Sequence, residues 1–298
     1  MSSYLLLISI CEFILMNIPL ATEKSKKVNF KQLKKIATEI RIDVIEMIAR
    51  AGSGHPAGAL GMTDVFTALY FNLVNHKPKS PTWADRDYVL LSNGHICPVL
   101  YATLAKSGYF SANILKTLRR INSPLQGHPL LNSAPGIEIS SGPLGQGLSQ
   151  ACGLAIALKS DKKKGHIYCL LSDGEQQEGQ TWEAYMLAAK YHLSNLTAII
   201  DRNMIQIGGN TEEIMPLENL VKKIEAFGWK TYEMDGHNFK KIIRTVKQAK
   251  QDKQPSAIIA HTVPGKGVSF MEGNSSWHGK APTQEQAKQA ISELKRNL

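Results

Sequence analysis

The sequence predicts an α/β fold with a mainly parallel central sheet and helices on both faces, and two observations carry that expectation. First, HIYCLLS (166–172) and LTAIIDR (196–202) are near-continuous apolar runs, the pattern of strands covered on both sides. A helix over 180–192 between them completes a strand–helix–strand crossover. Second, the alternation continues, with a helix over 217–227, a strand over 229–234, a helix over 238–250 and a strand over 256–261, which is the order of elements in layered α/β domains.

The remaining elements follow in chain order. Leu33, Ile36, Ile40, Val44, Ile45 and Ile48 recur at helical spacing, so residues 30–50 read as an amphipathic helix with a basic outer face, ending at Gly52. A glycine-rich turn, SGHPAGALG (53–61), precedes a helix over 63–73 that Thr63 is placed to cap. DYVLLS (87–92) is a short strand ending in Asn93-Gly94-His95. A helix over 98–107 gives way to a long loop rich in Pro and Gly, which runs through SSGPLGQG (140–147) into a helix over 148–160. Past the last strand come an irregular loop, 262–282, and a polar helix, 283–296.

Composition narrows the class. With 298 residues, 43% hydrophobic and 20% charged, 23 Gly and 13 Pro, the chain is neither disordered, collagenous nor disulfide-stapled. At roughly 150 residues per domain the length suits two domains or one large α/β layer structure. The boundaries read as an extension at 1–29, one large domain at 30–282 and a C-terminal helix at 283–298. The net charge of +10 points to an acidic partner, whether nucleic acid, an anionic surface or a phosphorylated small molecule. Cys11, Cys97, Cys152 and Cys169 form no CxxC pair, so they read as reduced thiols of a cytoplasmic protein. The apolar stretch from Tyr4 to Leu20 lacks a basic leader and a small-residue cleavage site, carries Glu12, and is shorter than the ~20 residues of a bilayer span. It is either sequence upstream of a start at Met16 or an apolar arm packed on a partner.

In an open parallel sheet, ligands bind outside the carboxyl ends of the strands. Asp173-Gly174 follows one strand and Arg202-Asn203 the next. A carboxylate, an amide oxygen and the backbone carbonyl of a following residue such as Ile205 form an oxygen half-shell for a hard divalent cation, whose other ligands are phosphate oxygens and water. Gly174 lets a diphosphate approach the backbone. Singly, these residues are better explained as a turn and a loop cap; the pair after adjacent strands favours the site. His55, His95, His128 and His278 each stand beside Gly or Pro. One such histidine is an ordinary loop residue, whereas four suggest fixed rings lining a pocket. SGPLGQG leads into a helix and so offers backbone N–H groups to an anion. It lacks the GxGxxG order and the Walker lysine, which argues against a nicotinamide site or a P-loop.

SGHPAGALG, LSNGH, SSGPLGQGLSQA, SDGEQQEGQTWEA, DRN with Ile205 two residues on, and WHGKAP stand in the order found in transketolases, and from about residue 34 to 282 the chain resembles that family. The resemblance implies the diphosphate-side domain of the thiamine diphosphate-binding fold. It also implies an enzyme that moves a two-carbon ketol unit from a ketose phosphate to an aldose phosphate, using thiamine diphosphate and Mg²⁺, or Ca²⁺ or Mn²⁺ in its place. Carried over by motif, Asp173, Asn203 and the carbonyl of Ile205 are the metal ligands. His95, Gly142, Pro143, Leu144, Asp173, Gly174, Asn203 and His278 are the cofactor contacts, and His55, His128 and His278 face the reacting carbons. Glu178 and Glu183 fall where the family keeps interface carboxylates that link paired active sites; without the resemblance they are a solvated pair at a helix start. Ser172 departs from the usual Gly-Asp-Gly, a change that ordinary backbone angles there would tolerate. Pro264 stands where some relatives carry lysine, so it receives no role.

In the resembled enzymes a second domain holds the cofactor's pyrimidine ring and supplies a glutamate to it. The chain therefore resembles the N-terminal subunit of a split transketolase, inactive without a C-terminal subunit bearing that domain and glutamate. The implied assembly is a heterotetramer of two copies of each chain, acting on sugar phosphates, with neither nucleic acid nor membrane as partner. Two other readings are a subunit of another split thiamine diphosphate enzyme, acting on a different ketose or a 2-oxo acid, and an idle basic domain that binds nucleic acid. The histidine motifs favour ketol transfer over the former. Against the latter, Lys31, Lys34, Lys35, Lys222, Lys223, Lys240 and Lys241 lie on helices with no aromatic ladder, as a solvated face would.

Overall fold

The computed structural model describes residues 28–296; the two readings of Tyr4–Leu20, and Cys11, lie outside the described residues. The chain enters through α1 (Phe30–Ala51), whose start is fixed by a capping box. The Asn29 side chain accepts from the Gln32 N–H while the Gln32 side chain accepts from that of Asn29. Gly52, in the left-handed region, closes it. Then follow α2 (Pro56–Gly61), α3 (Thr63–Ala68) with a π-helical turn at Leu69–Leu73, β1 (Tyr88–Leu91), a 3₁₀ turn at Gly94–Ile96 and α4 (Cys97–Lys106). After a long irregular stretch come α5 (Gly147–Ser160), β2 (Ile167–Ser172), α6 (Gly179–Lys190) and β3 (Leu196–Arg202). The small hairpin β4 (Ile205–Gln206) and β5 (Gly209–Asn210) is followed by α7 (Thr211–Ile214), α8 (Leu220–Ala226), β6 (Lys230–Asp235), α9 (Phe239–Ala249), β7 (Ser256–His261) and α10 (Gln284–Lys295).

The main sheet has the order β1-β2-β3-β7-β6 with every neighbouring pair parallel. Its apolar strands divide their side chains between two cores with the period of two that the pleat imposes. Leu91, Tyr168, Leu170, Ile199 and Ile258 pack with α1 to α4 and α9. Leu90, Cys169, Leu171, Ile200 and Ile259 pack with α5, α6 and α8. Both faces are thus covered, as the unbroken apolar runs require. Cys97, Cys152 and Cys169 are free and buried. Among the described residues no helix is long and apolar enough to cross a membrane.

Three expectations change. The SGHPAGALG segment is a turn only through His55. Pro56 begins a helix, its preset φ suiting the first helical position. Thr63 is no cap, because its Oγ1 donates to the Ala59 carbonyl at 2.8 Å from inside an almost continuous rod. The segment before α8 is not helical at 217–219; the helix begins at Leu220, where Asn219 accepts from the Lys222 N–H. Finally, the C-terminal helix is not a polar appendage. Ala287, Ala290 and Leu294 lie at helical spacing and are buried in the core that contains α1, so residues 284–295 belong to the same domain.

Leu294 is 2% exposed, so Leu294→Ala should lower the unfolding free energy by about 2–4 kcal/mol through lost burial and a residual cavity. Denaturant unfolding checks this, and a variant as stable as the wild type would put α10 outside the core.

Candidate active site

Parallel pairing brings the carboxyl ends of β2 and β3 level: Ser172 lies opposite Asp201, and the Asp173 N–H continues the ladder to the Asp201 carbonyl at 3.1 Å. Asp173 is 1% exposed. Its Oδ1 accepts from the Gly174 N–H at 2.7 Å. Its Oδ2 accepts from Arg202 Nη1 at 3.1 Å, the Met204 N–H at 2.9 Å and Thr211 Oγ1 at 3.3 Å. Met204 has φ 65°, a left-handed turn that aims its N–H back at Asp173 and sets Asn203 and Ile205 on either side. Asn203 is oriented by two bonds: Nδ2 donates to Asp201 Oδ2 at 2.8 Å, and Oδ1 accepts from the Ile205 N–H at 3.0 Å. Asp201 is held in turn by the Thr262 hydroxyl, from the segment after β7.

Burial dominates the electrostatics of this edge. It pushes Asp201 up to about 7 and raises Asp173, the latter against the pull of the Arg202 guanidinium. Arg202 is shared with Glu212 and Glu218, so the edge holds more carboxylate than cation. Among the described residues no group of three or more His, Cys, Asp or Glu side chains is placed to hold a metal. The donors on offer are instead one carboxylate, one amide oxygen and a backbone carbonyl, all hard oxygens. That set fits a divalent cation completed by oxygens from elsewhere.

The glycine loop lies across the end of β1. A Cβ on Gly94 would stand 2.6 Å from Ser141 Oγ and 2.9 Å from the Gly142 nitrogen, so only hydrogen fits there. Gly142 has φ 148°, and its own Cβ position is 3.2 Å from His128 Cγ, which packs the loop against that ring. His55, His95 and His278 come from three separate segments and meet with ring centroids 5.2, 5.6 and 5.3 Å apart. His128 is exposed on its loop. Burial drives His55 down to about 4 and His95 to about 3, and lowers His128 and His278, so all four rings are neutral near pH 7. Both amide atoms of Asn93, Ser141 Oγ and His55 Nδ1 are buried and unpartnered among the described residues. Orphaned polar atoms around one loop are what a polar ligand would satisfy.

Of the sequence-assigned residues, Asp173, Gly174, Asn203 and Ile205 meet at the β2–β3 edge, His55, His95 and His278 cluster, and Gly142 packs on His128; Glu178 is exposed but lies against Gly145 of the glycine loop, and Glu183 is exposed on α6. Ser172 keeps ordinary backbone angles, so its replacement of glycine is accommodated. Three residues escaped the sequence reading. Asp201 was hidden inside a strand, although a carboxylate in an apolar run is itself a signal. Glu175 is fully buried behind the glycine loop. Arg119, at φ 61° with Nη1 3.4 Å from Ser53 Oγ, lies near His55 and His128 and helps to keep both uncharged.

Residues 32–297 match the family described as "Transketolase, thiamine diphosphate binding domain". The chain belongs to the transketolase family. Among its relatives, an apulose-4-phosphate transketolase subunit from Phocaeicola vulgatus is 43% identical over 256 residues, covering 86% of this chain and 91% of that one. The 6-deoxy-6-sulfo-D-fructose transketolase subunit SqwG of a Clostridium species is 43% identical over 265 residues, covering 89% and 96%. The human transketolase is 38% identical and covers 91% of this chain, but only 43% of its own length is matched. In three dimensions the crystal structure of the Campylobacter jejuni transketolase superposes with a TM-score of 0.85 at 36% identity, over 90% of this chain and 43% of that one. The transketolase-family fold, with its thiamine diphosphate-binding domain, is therefore the fold seen here.

The buried histidines predict an acid-labile domain. Between its ordinary value of 6.5 and its folded value of about 3, His95 takes up a proton only when the chain unfolds. Stability contributed by the neutral ring is therefore lost as pH falls through this window. His95→Gln should flatten the dependence of unfolding free energy on pH between 5.5 and 4 by about 1.4 kcal/mol per pH unit, measured by denaturant titration. Equal slopes for the two proteins would mean the folded ring is already charged.

Proposed function

We propose that this chain is one half of a two-chain transketolase, the half that holds the metal–diphosphate end of thiamine diphosphate. With a partner chain carrying the pyrimidine-binding domain and its glutamate, it transfers a two-carbon ketol unit between sugars that bear a distal phosphate or sulfonate. The observations that carry the proposal are the donor set of Asp173, Asn203 and Ile205 at the β2–β3 edge, the glycine loop packed on Gly94 and His128, and the cluster of His55, His95 and His278. Family membership supports the cofactor. Relatives named as subunits are matched over 91% and 96% of their length, and the human transketolase over 43%, which supports a separate partner. Two copies of each chain in the cytoplasm complete the proposal.

In this reading Asp173, Asn203 and the Ile205 carbonyl hold Mg²⁺, with Ca²⁺ or Mn²⁺ as substitutes of the same oxygen preference. Gly174 and the Gly142–Leu144 turn, with His95, present the backbone and a neutral ring to the diphosphate end. Thiamine diphosphate, when bound, supplies the electron sink for cleaving the bond beside the ketose carbonyl. His55, His128 and His278 bind the sugar hydroxyls; as neutral rings each can take a proton at its unprotonated nitrogen and return it. Arg119 adds a fixed cation that favours an anionic substrate.

Two results test this. Thiamine diphosphate with Mg²⁺ should raise the melting temperature of the complex purified with its partner from the native host, and Asp173→Ala should abolish the rise; an equal rise in the variant refutes the metal assignment. This chain alone should show no ketol transfer, with turnover growing as partner is added up to a 1:1 ratio. Full turnover without a partner would overturn the two-chain reading.

A further inference from the structure

Behind the glycine loop lies a carboxylate to which neither the motifs nor the proposed chemistry assigns a role. Glu175 follows the metal-edge residue Asp173 by two positions and is fully buried. Both of its oxygens accept hydrogen bonds within the chain. Oε1 accepts from the Ser92 hydroxyl and from the Gly145 N–H at 2.8 Å, and Oε2 accepts from the Ser172 N–H at 3.1 Å. Ser92 Oγ, fixed as a donor to Glu175, accepts in turn from the Gly147 N–H at 3.0 Å. The approach is close enough that a Cβ on Gly147 would fall 2.3 Å from Ser92 Cβ. The Glu175 carbonyl meanwhile accepts from the Glu178 N–H and from Thr181 Oγ1, both at 3.1 Å, at the start of α6.

One residue thus ties together the ends of β1 and β2, the loop on the C-terminal side of Gly142–Leu144, and the first turn of α6. We propose that Glu175 is a positioning residue for the cofactor: its buried carboxylate holds the Gly142–Leu144 turn in place beside Asp173, so that the anion-facing backbone is set before any ligand arrives. The inference rests on the proposed function for the identity of that ligand. A buried carboxylate is costly, and an apolar side chain of similar size would fill the space at lower cost. What the carboxylate adds is direction: it converges three donors and fastens the Gly145 loop, which belongs to no strand, to the paired ends of β1 and β2. Glu175 is no ligand of the diphosphate, since both would be anions and Glu175 is fully buried.

That sign separates the proposal from its rivals. Removing a negative charge near an anionic ligand would, by Coulomb's law alone, tighten binding; loss of positioning weakens it. The test uses the complex purified with its partner, titrated with thiamine diphosphate in excess Mg²⁺, comparing wild type, Glu175→Gln and Ser92→Ala. Both variants should raise the Kd about tenfold, the scale on which supporting residues around a site act. In the full chain without cofactor, amide exchange across residues 140–148 should quicken in both. Ser92→Ala removes a single oxygen and carries the test if Glu175→Gln fails to fold. Unchanged or tighter binding by the variants, or unchanged exchange in 140–148, overturns the positioning role. No binding by wild type overturns the proposed function instead, and with it the ligand named here.

Discussion

The parallel register of β2 against β3 is the constraint on which the rest of this structure depends. Ser172 opposite Asp201 is its last rung, and from it Asp173 leaves one strand at the level where Arg202 and Asn203 leave the other. The left-handed turn at Met204 returns a backbone N–H to Asp173 only from that level. Slippage by one residue would exchange the side chains facing the two cores. If β2 moved, Leu170 would leave the core of α1 to α4 and Leu171 that of α5, α6 and α8; if β3 moved, Ile199 and Ile200 would do the same. Burial on both faces therefore fixes the site's geometry, and Ile205 belongs to both core and site.

The rim itself is built from groups that are costly to bury. Asp173, Asp201 and Glu175 are each almost wholly removed from water, and each is supplied with donors: Arg202, Met204 and Thr211 for the first, Asn203 and Thr262 for the second, Ser92, Gly145 and Ser172 for the third. Satisfied networks of this kind are rigid, because displacing any member leaves another unpaired in a low dielectric. The same buried surroundings keep the histidines above uncharged. A cation-seeking edge and neutral rings thus arise from one cause, burial. The chain's net charge of +10 is a different matter. Lys31, Lys34, Lys35, Lys222, Lys240 and Lys241 lie on helices, whereas the β2–β3 edge is rich in carboxylates.

The strands were legible because a sheet covered on both faces demands unbroken apolar runs, and HIYCLLS and LTAIIDR have no other economical reading. The ends of those runs located Asp173 and Asn203. Elements whose start depends on caps were less legible: Thr63 looks like a cap in isolation, yet its hydroxyl turns to Ala59 once Pro56 has begun a helix upstream. The hairpin at 205–210 carried only a Gly-Gly pair as its signal. The C-terminal helix looks polar by composition, and its narrow stripe of Ala287, Ala290 and Leu294 acquires meaning only with α1 to bury it.

The α/β class, the order of the strands along the chain, the family and the residues at the strand ends, Asp173 and Asn203, follow from the amino-acid sequence, because hydrophobic period, strand ends and short motifs are local properties. Which of those residues meet is a matter of tertiary structure. His55, His95 and His278 are distant in the chain and meet because the turn before α2, the end of β1 and the loop after β7 pack at one edge. Glu175 reads as one more acid in an acidic turn until its partners are seen, since Ser92 and Gly145 lie 83 and 30 residues away. Long-range contacts of that kind are set by packing, and nothing in the local sequence encodes them.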